Sequence, residues 1–188
     1  HLSIRRQRQM CIRDRGQPCT YPDSLVGQAG YHMGDMACSI GQHTWNAAVW
    51  SAHAATHAAA LVLEGERATY ALCRPPGHHA YADRANGFTY LNNAAIAAQY
   101  LRRQHPRVAI LDVDVHHGNG TQGIFWRRSD VLTLSLHGDP HFCTPFFTGH
   151  AHERGEGEGL GYNLNYPLAR GTGTDDYLHA LALSLIHI

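Results

Sequence analysis

Short apolar runs, bounded by polar and turn-forming residues, set the pattern of this chain. Val108–Val113 and Val131–Leu136 are almost continuously apolar, as is typical of strands buried on both faces of a parallel sheet. Ala68–Leu72 and Asn163–Leu168 are two further short runs, and each predicts a strand.

Stretches with helix signals alternate with these runs. Thr44 is a candidate N-cap for an alanine-rich helix to Leu63, and Pro106 ends a second helix that begins at Asn92 and continues to about His105. Shorter helices are predicted over Thr121–Arg127 and from Asp175 onward. Irregular segments are predicted over 16–42, 73–90 and 137–162. The alternation predicts an α/β fold with a parallel sheet covered by helices on both faces.

Polar clusters follow the predicted strands, at the sheet edge where α/β proteins bind ligands. At the end of Val108–Val113 and just beyond it, strand alternation would point Asp112, Asp114 and His116 to one side. Carboxylate oxygens and imidazole nitrogens are zinc ligands. The segment therefore predicts a metal site, the plain alternative being a glycine-rich turn with a capping Asp.

A second cluster follows the predicted strand Ala68–Leu72. The run Arg74–Ala80 holds His78 and His79 behind a stiff Pro-Pro-Gly sequence. Imidazoles titrate near neutral pH, so the pair suits general acid–base chemistry. Asp112 is a candidate to orient one of them, and two surface histidines are the alternative.

A third polar region follows the strand Val131–Leu136. His137 and His141 are metal ligands by residue type, although an ordinary polar loop is the favoured interpretation. Gly155–Gly159 is predicted to be a flexible, solvated loop. Phe88 and Phe147 are candidates to line an apolar slot.

Composition narrows the class of protein. The 188 residues have a formal net charge of zero, which gives no support for nucleic-acid binding. No apolar run is long enough for a transmembrane helix. The five cysteines are odd in number and contain no CxxC pair, so reduced thiols and a cytoplasmic location are expected.

Three motifs resemble the zinc-dependent histone deacetylase superfamily. They are Arg-Pro-Pro-Gly-His-His at 74–79, Gly-Phe-Thr-Tyr-Leu-Asn-Asn at 87–93 and Asp-Val-Asp-Val-His-His-Gly-Asn-Gly-Thr-Gln at 112–122. Ser135–Pro140, Asn165–Pro167 and Arg170–Thr172 are most similar to the bacterial acetylpolyamine amidohydrolase branch. The resemblance implies a three-layer arginase/deacetylase-like fold with a parallel sheet. It also implies that the N-terminal strand and the C-terminal half of that fold are missing.

The resemblance also implies roles for individual residues. Asp114 and His116 match two of three zinc ligands, and His78 and His79 match the catalytic pair, with His79 as general base and acid. Asp112 matches the residue that orients His78. Asn119 stands behind His79 where some members carry Asp. The implied structural potassium site comprises Asp112, Ser135 and Leu136. The implied walls of a substrate tunnel are Gly87, Phe88 and Phe147.

The implied chemistry is metal-assisted amide hydrolysis that releases acetate and a free amine. The expected substrate is a small acetylated amine or an acetyl-lysine peptide, with one zinc ion per site and no nucleic-acid or membrane partner. The family's third zinc ligand, an Asp, and its catalytic Tyr lie downstream of this chain. We therefore expect the 188-residue chain to be inactive and its intact parent to be the enzyme. The resemblance is compatible with a homodimer for that parent.

The two ends carry sequences that we hypothesise to be non-native. Leu183–Ile188 matches one translation of a sequencing-library adapter, and Met10–Arg15 matches a translation of its reverse complement. Residues 16–182 are therefore expected to be the native, partial deacetylase domain, with 1–15 and 183–188 derived from the adapter.

Two other functions remain as alternatives. One is a ureohydrolase on the related fold, which the His78–His79 pair disfavours. The other is a non-catalytic protein that retains a pocket for an acetylated ligand. The downstream Asp and Tyr positions distinguish the two cases. Both residues present would indicate an enzyme, and both replaced would indicate a non-catalytic binding protein.

Overall fold

A computed structural model describes residues 20–188 of the chain. The predicted non-native segment 1–15 lies outside the described residues, as do Cys11 and Cys19.

The centre of the fold is a three-stranded parallel sheet. Its strands are β1 (Val108–Asp112), β2 (Val131–Gly138) and β3 (Asn163–Leu168), in the order β1-β2-β3. Both pairings are parallel, and Asp112 of β1 lies opposite Ser135 of β2. The predicted α/β class with a parallel sheet is confirmed.

Within residues 20–188, five α-helices accompany the sheet: α1 (Leu25–Tyr31), α2 (Thr44–Leu63), α3 (Asn93–Leu101), α4 (Asn119–Phe125) and α5 (Thr174–Leu185). A 3-10 turn spans Gly157–Gly159. The side chain of Asn92 caps α3 by accepting a hydrogen bond of 3.0 Å from the amide of Ala95. The helix ends at Leu101, four residues before the predicted end, and the chain continues in turns to Pro106.

The prediction that residues 16–42 are wholly irregular is wrong, because α1 lies within them. The hydroxyl of Ser24 accepts a 3.1 Å hydrogen bond from the amide of Gly27 and caps the helix. This short-range bond compensates for two glycines inside the helix, Gly27 and Gly30.

The predicted strand Ala68–Leu72 is also wrong. The segment is neither helix nor strand, and Tyr70 and Leu72 are 86% and 80% exposed. A short apolar run becomes a strand only when a neighbour pairs with its main chain. Within residues 20–188, the sheet contains only β1, β2 and β3, so this segment has no strand to pair with.

The hydrophobic core fixes the position of the site. Buried residues of α3, α4 and β2 form one cluster, consisting of Ala95, Ala98, Phe125 and Val131, with Val108, Ile110 and Ile124 packed against it. Because α4 packs beside the sheet, its N-terminal residue Asn119 lies near the carboxyl end of β1. None of the helices within residues 20–188 combines the length and the apolar character required to cross a bilayer.

Candidate active site

The chain bends immediately after β1, and two carboxylates stabilise the bend. Asp112 Oδ1 accepts a hydrogen bond of 3.0 Å from the amide of Asp114, and Asp114 Oδ1 accepts one of 2.8 Å from the amide of His116. The predicted strand-like alternation of Asp112, Asp114 and His116 is therefore wrong. Val113 and Val115, expected on the opposite face of a strand, are 55% and 62% exposed.

Asp114 and His116, the predicted zinc ligands, lie together on this bend. Asp114 Oδ1 is 3.2 Å from His116 Nδ1, and their side chains are 49% and 45% exposed. Hydrogen bonds from His116 outweigh partial burial and lower the pKa of Asp114. The aspartate is therefore held as an anion, the form that binds metals.

The donor types fit zinc, but two donors are fewer than a catalytic zinc site needs. Within residues 20–188, no group of three or more His, Cys, Asp or Glu side chains is arranged to hold a metal ion. The zinc-ligand roles of Asp114 and His116 therefore stay a prediction.

His78 is bonded to a carboxylate. Its Nδ1 donates to Asp112 Oδ2 over 2.8 Å, since a carboxylate only accepts. Burial alone would lower the pKa of His78, but the hydrogen bond and negative charge of Asp112, aided by Asp114, raise it above the ordinary value. The predicted pairing of Asp112 with one of the two histidines is present, and the partner is His78.

His79 is bonded to an amide. Its Nδ1 lies 2.8 Å from Asn119 Oδ1, which also accepts a 3.1 Å hydrogen bond from the amide of Gly120. Burial and the neighbouring His78 lower the pKa of His79 to about 4. Donation from Nδ1 to the amide oxygen leaves Nε2 with its lone pair free to accept a proton.

The imidazoles of His78 and His79 lie against each other and near the predicted metal ligand His116. The ring centroids of His78 and His79 are 4.0 Å apart, and those of His79 and His116 are 6.1 Å apart. The structure therefore brings together the residues predicted from two separate motifs, at 74–80 and 112–120.

Three helices hold the loop that carries the imidazoles. Ser51 of α2 donates to the carbonyl of Pro75 over 2.7 Å, and Asn93 of α3 donates to the same carbonyl over 3.1 Å. The amide of Thr121 in α4 donates to the carbonyl of His78 over 3.1 Å. These bonds fix the main chain before His78 and between His78 and His79.

Two glycines permit the close packing of the site. A Cβ at Gly118 would lie 2.3 Å from Asp112 Oδ2, and one at Gly87 would lie 2.3 Å from His79 Cδ2. Gly87 also has a φ of +51°, a region that favours glycine. Its amide donates to Asp35 Oδ2 over 2.9 Å. Asp35 is a residue that the sequence analysis missed, because nothing in its local pattern connects it with Gly87.

Ser135 lies opposite Asp112 in the sheet, and Leu136 follows it in β2. Ser135 is 7% exposed, and its Oγ lies 2.8 Å from Nδ1 of His137. The Leu136 side chain is apolar and buried, so only its carbonyl could coordinate a cation. The set of carboxylate, hydroxyl and carbonyl oxygens fits a hard cation such as potassium.

Phe88 and Phe147, the predicted tunnel walls, both lie in loops. They are 68% and 41% exposed, and Phe88 has a φ of 64°. Their role as the walls of a substrate slot stays a prediction.

The third polar region differs from its predicted form. His137 lies in β2, 1% exposed, and its Nε2 donates to the carbonyl of Gly149 over 2.8 Å. Burial lowers its pKa. His141 is an exposed partner of Asp139, with Nδ1 2.5 Å from Oδ1. Neither belongs to a metal-binding group among the described residues.

The Gly155–Gly159 segment is more closely packed than the predicted solvated loop. A Cβ at Gly155 would lie 2.0 Å from the carbonyl oxygen of Gly159, and one at Gly159 would lie 2.5 Å from that of Trp126. Glu156 pairs with Arg127 over 3.0 Å. The glycines here allow main chain to pack on main chain.

Fold and site together define a parallel α/β protein with metal-donor side chains and a pair of polarised imidazoles at the ends of its strands. The family described as Histone deacetylase domain matches residues 5–188. The chain belongs to the histone deacetylase family.

Relatives place the chain within this family. It is 58% identical over 154 residues to an acetylpolyamine amidohydrolase of Burkholderia pseudomallei, covering 80% of this chain and 45% of that protein. It is 50% identical over 170 residues to acetylpolyamine amidohydrolase 2 of Pseudomonas aeruginosa, covering 90% of this chain and 49% of that protein.

A solved structure gives the same result. The crystal structure of an acetylpolyamine aminohydrolase from Burkholderia pseudomallei, from an iodide soak, superposes with a TM-score of 0.85 at 46% identity. The match covers 97% of this chain and 58% of that one. The chain thus spans about half the length of the curated relatives it matches.

Proposed function

We propose that the intact protein is a metal-dependent amidohydrolase that removes acetyl groups from acetylated amines. The observation that carries the proposal is the paired arrangement of His78 with Asp112 and His79 with Asn119, beside Asp114 and His116. The names of its relatives, which are acetylpolyamine amidohydrolases, favour acetylpolyamines over acetyl-lysine peptides as substrates.

Asp114 and His116 are the residues that would hold zinc, together with a third ligand outside the described residues. When bound, zinc polarises the acetamide carbonyl and makes a water molecule more acidic. His79 accepts the proton of the attacking water at Nε2, where the geometry leaves a lone pair, and passes it to the departing amine. One water and one acetamide give one acetate and one amine.

His78 has a different task in this proposal. Its bond to Asp112 keeps a positive charge favourable on the ring, so it stabilises the negative charge that develops on the substrate. The two imidazoles thus divide the work into proton transfer and charge stabilisation.

Asp112, Ser135 and the carbonyl of Leu136 form the proposed potassium site. A monovalent cation there would fix the ends of β1 and β2 next to His78, since Asp112 and Ser135 face each other in the sheet. The intact protein is further proposed to be a cytoplasmic homodimer. The thiols of Cys38, Cys73 and Cys143 are free, which agrees with a reducing compartment.

The test begins by reading the source locus beyond Ala182 and expressing the intact parent and the 188-residue chain side by side. Acetate release from acetylputrescine and from acetyl-lysine peptides is measured with and without a chelator. We expect zinc-dependent release by the parent and none by the shorter chain. His79→Ala in the parent should abolish release, while the exposed-site control His141→Ala should not.

Two outcomes would contradict the proposal. Release that survives both chelation and His79→Ala would exclude this site as the source of activity. Tight binding of acetylputrescine without hydrolysis by the parent would instead identify a non-catalytic binding protein.

A further inference from the structure

Glu153 lies in the loop between β2 and β3, and one of its carboxylate oxygens gathers hydrogen bonds from three parts of the fold. Oε2 accepts from Gln122 Nε2 over 2.7 Å, from the amide of Gly149 over 2.8 Å and from Asn165 Nδ2 over 3.4 Å. These donors lie in α4, in the loop itself and in β3. The carboxylate therefore links the loop to both layers beneath it.

The partners of Glu153 are themselves fixed. Gln122 and Asn165 are each 7% exposed, and Gln122 Oε1 accepts hydrogen bonds of 2.9 Å from Asn163 and 2.8 Å from Asn165. The main-chain carbonyl of Glu153 accepts another, over 2.7 Å, from Asn163. These hydrogen bonds join Glu153 to buried amide side chains of α4 and β3, and such a network restricts the movement of the carboxylate.

The segment that Glu153 holds lies against the candidate active site. The carbonyl of Gly149 accepts from Nε2 of His137 over 2.8 Å, and Thr148 Oγ1 is 3.1 Å from Nδ1 of His117. His117 and His137 are both 1% exposed, with ring centroids 4.6 Å apart. Hydrogen bonds to His117, His137 and Glu153 therefore hold Thr148–Gly149 in place. His117 directly follows His116 in the chain.

Gly149 fits this place for steric reasons. Its φ is +100°, and a Cβ there would lie 2.6 Å from Nε2 of His137. The segment can approach the two buried imidazoles only because residue 149 has no side chain. Phe147 stands two residues earlier, and so its position depends on where Thr148–Gly149 is held.

We propose that Glu153 is a positioning residue whose hydrogen bonds fix Thr148–Gly149 against His117 and His137 and thereby set the place of Phe147, a predicted wall of the substrate tunnel. The relevance of Phe147 to substrate rests on the proposed function. The positioning itself depends on neither a metal nor a substrate, so it is tested separately from deacetylation.

The test uses the 188-residue chain labelled throughout with 4-fluorophenylalanine, which gives one fluorine signal for each of its five Phe residues. Phe147→Leu identifies the Phe147 signal, and the 3% exposed Phe125 of the core reports on the rest of the fold. Glu153→Ala is compared with Glu158→Ala, a matched change at an exposed residue of the same loop.

We expect Glu153→Ala to move or broaden the Phe147 signal by more than its linewidth while Phe125 stays in place. Glu158→Ala should change neither signal. Glu153→Gln should restore the native Phe147 signal, because a single amide oxygen can accept the bonds that Oε2 accepts.

Three results would overturn the proposal. The first is an unchanged Phe147 signal in Glu153→Ala. The second is an equal disturbance of Phe125, or loss of all folded signals, which would mean that Glu153 holds the whole fold rather than the loop. The third is a Glu153→Gln variant as disturbed as Glu153→Ala, which would indicate a role for charge instead of hydrogen bonding.

Discussion

His78 and His79 are neighbours in the chain, and the Nδ1 of each lies 2.8 Å from a side-chain oxygen, yet their pKa values move in opposite directions. Burial favours the neutral form of both rings. At His78, the carboxylate of Asp112 outweighs burial and raises the pKa. At His79, the neutral amide of Asn119 does not outweigh burial, and the positive charge of His78 lowers the pKa further. The charge of the partner, and not the length of the hydrogen bond, decides which ring is protonated.

The difference matters because the proposed reaction needs both kinds of imidazole. A ring that is neutral in the resting protein can accept a proton, and a ring that holds its proton can stabilise an anion. The two histidines of one loop differ because their partners differ. Asp112 lies at the end of β1, and Asn119 lies at the start of α4.

The largest expected effect is on stability in acid. The pKa of His79 is lowered to about 4 and that of His117 to about 3, so the unfolded chain binds protons below about pH 6.5 that the folded chain refuses. Stability should fall as pH drops from about 6.5 toward 4, by about 3 kcal/mol from His79 alone. His78, whose pKa is raised, contributes with the opposite sign: its stabilisation is present in acid and is lost as pH rises through its folded pKa.

Urea unfolding of the metal-free chain at several pH values measures this slope. His79→Gln should make the slope less steep, with the contribution of His117 remaining, while His179→Gln, at an exposed position of α5, should leave it unchanged. A wild-type stability that is constant from neutral pH to about pH 4.5 would contradict the assignment of buried neutral imidazoles.

Asn119→Asp should remove the contrast between the two rings. A carboxylate at the 2% exposed position 119 gives His79 the kind of partner that His78 has, and the pKa of His79 should rise by about 1–3 units. Titration of the imidazole NMR signals measures it, with Asn46→Asp on the exposed face of α2 as the control. A His79 that still titrates near 4 in Asn119→Asp would show that burial, and not the partner, sets its pKa.

Gly118→Ala should disturb His78 and spare His79. The new Cβ would lie 2.3 Å from Asp112 Oδ2, so the carboxylate must move away from His78 and the pKa of His78 should fall. A clash of this kind costs about 1–3 kcal/mol of stability. Gly30→Ala is the control, since nothing lies within 4 Å of its Cβ. An unchanged His78 titration in Gly118→Ala would mean that Asp112 is not its essential partner.

The smallest expected effect lies at Asp130, far from the two rings in the sequence. Hydrogen bonds from Arg128 and Arg102 hold the pKa of Asp130 well below its usual range. Its stabilisation is present above the unfolded pKa of a carboxyl group and is lost as pH falls through the lowered folded value. Asp130→Asn should cost about 0.5–1 kcal/mol at neutral pH, because the ion pair is partly exposed.

Thermal unfolding at neutral pH measures the change, with Glu66→Gln as an exposed control. If Asp130→Asn lost as much stability as His79 loses between about pH 6.5 and 4, the Asp130 ion pair could account for the acid sensitivity. The pH dependence of stability would then not report on the histidine pair.

Local patterns predicted the elements whose signals are local. The apolar runs of β1 and β2 and the start of α3 next to Asn92 are examples. The strand predicted at Ala68–Leu72 was wrong because strand formation depends on a distant partner, which no local pattern contains. Helix α1 was missed because its two glycines hid the capping signal of Ser24.

The candidate site shows the same division. Motif resemblance predicted Asp114, His116, His78 and His79, and the structure brings them together. The partners that fix the surrounding loops, Asp35 and Glu153, are separated in sequence from the residues they support or lie in a glycine-rich stretch. The 52-residue separation hides the bond between Asp35 and Gly87. Glu153 is only four residues from Gly149, but nothing in the local pattern distinguishes it from the other glutamates of the loop.

The most direct test of the account is a site-resolved pH titration of His78 and His79 in the wild-type, metal-free chain, followed by imidazole NMR. The account predicts that His79 titrates near 4, while His78 titrates above its ordinary value, so that over the pH range between them one ring is charged and its neighbour is neutral. Equal pKa values, or a His79 that takes up its proton before His78, would contradict the division of roles on which the proposed chemistry rests.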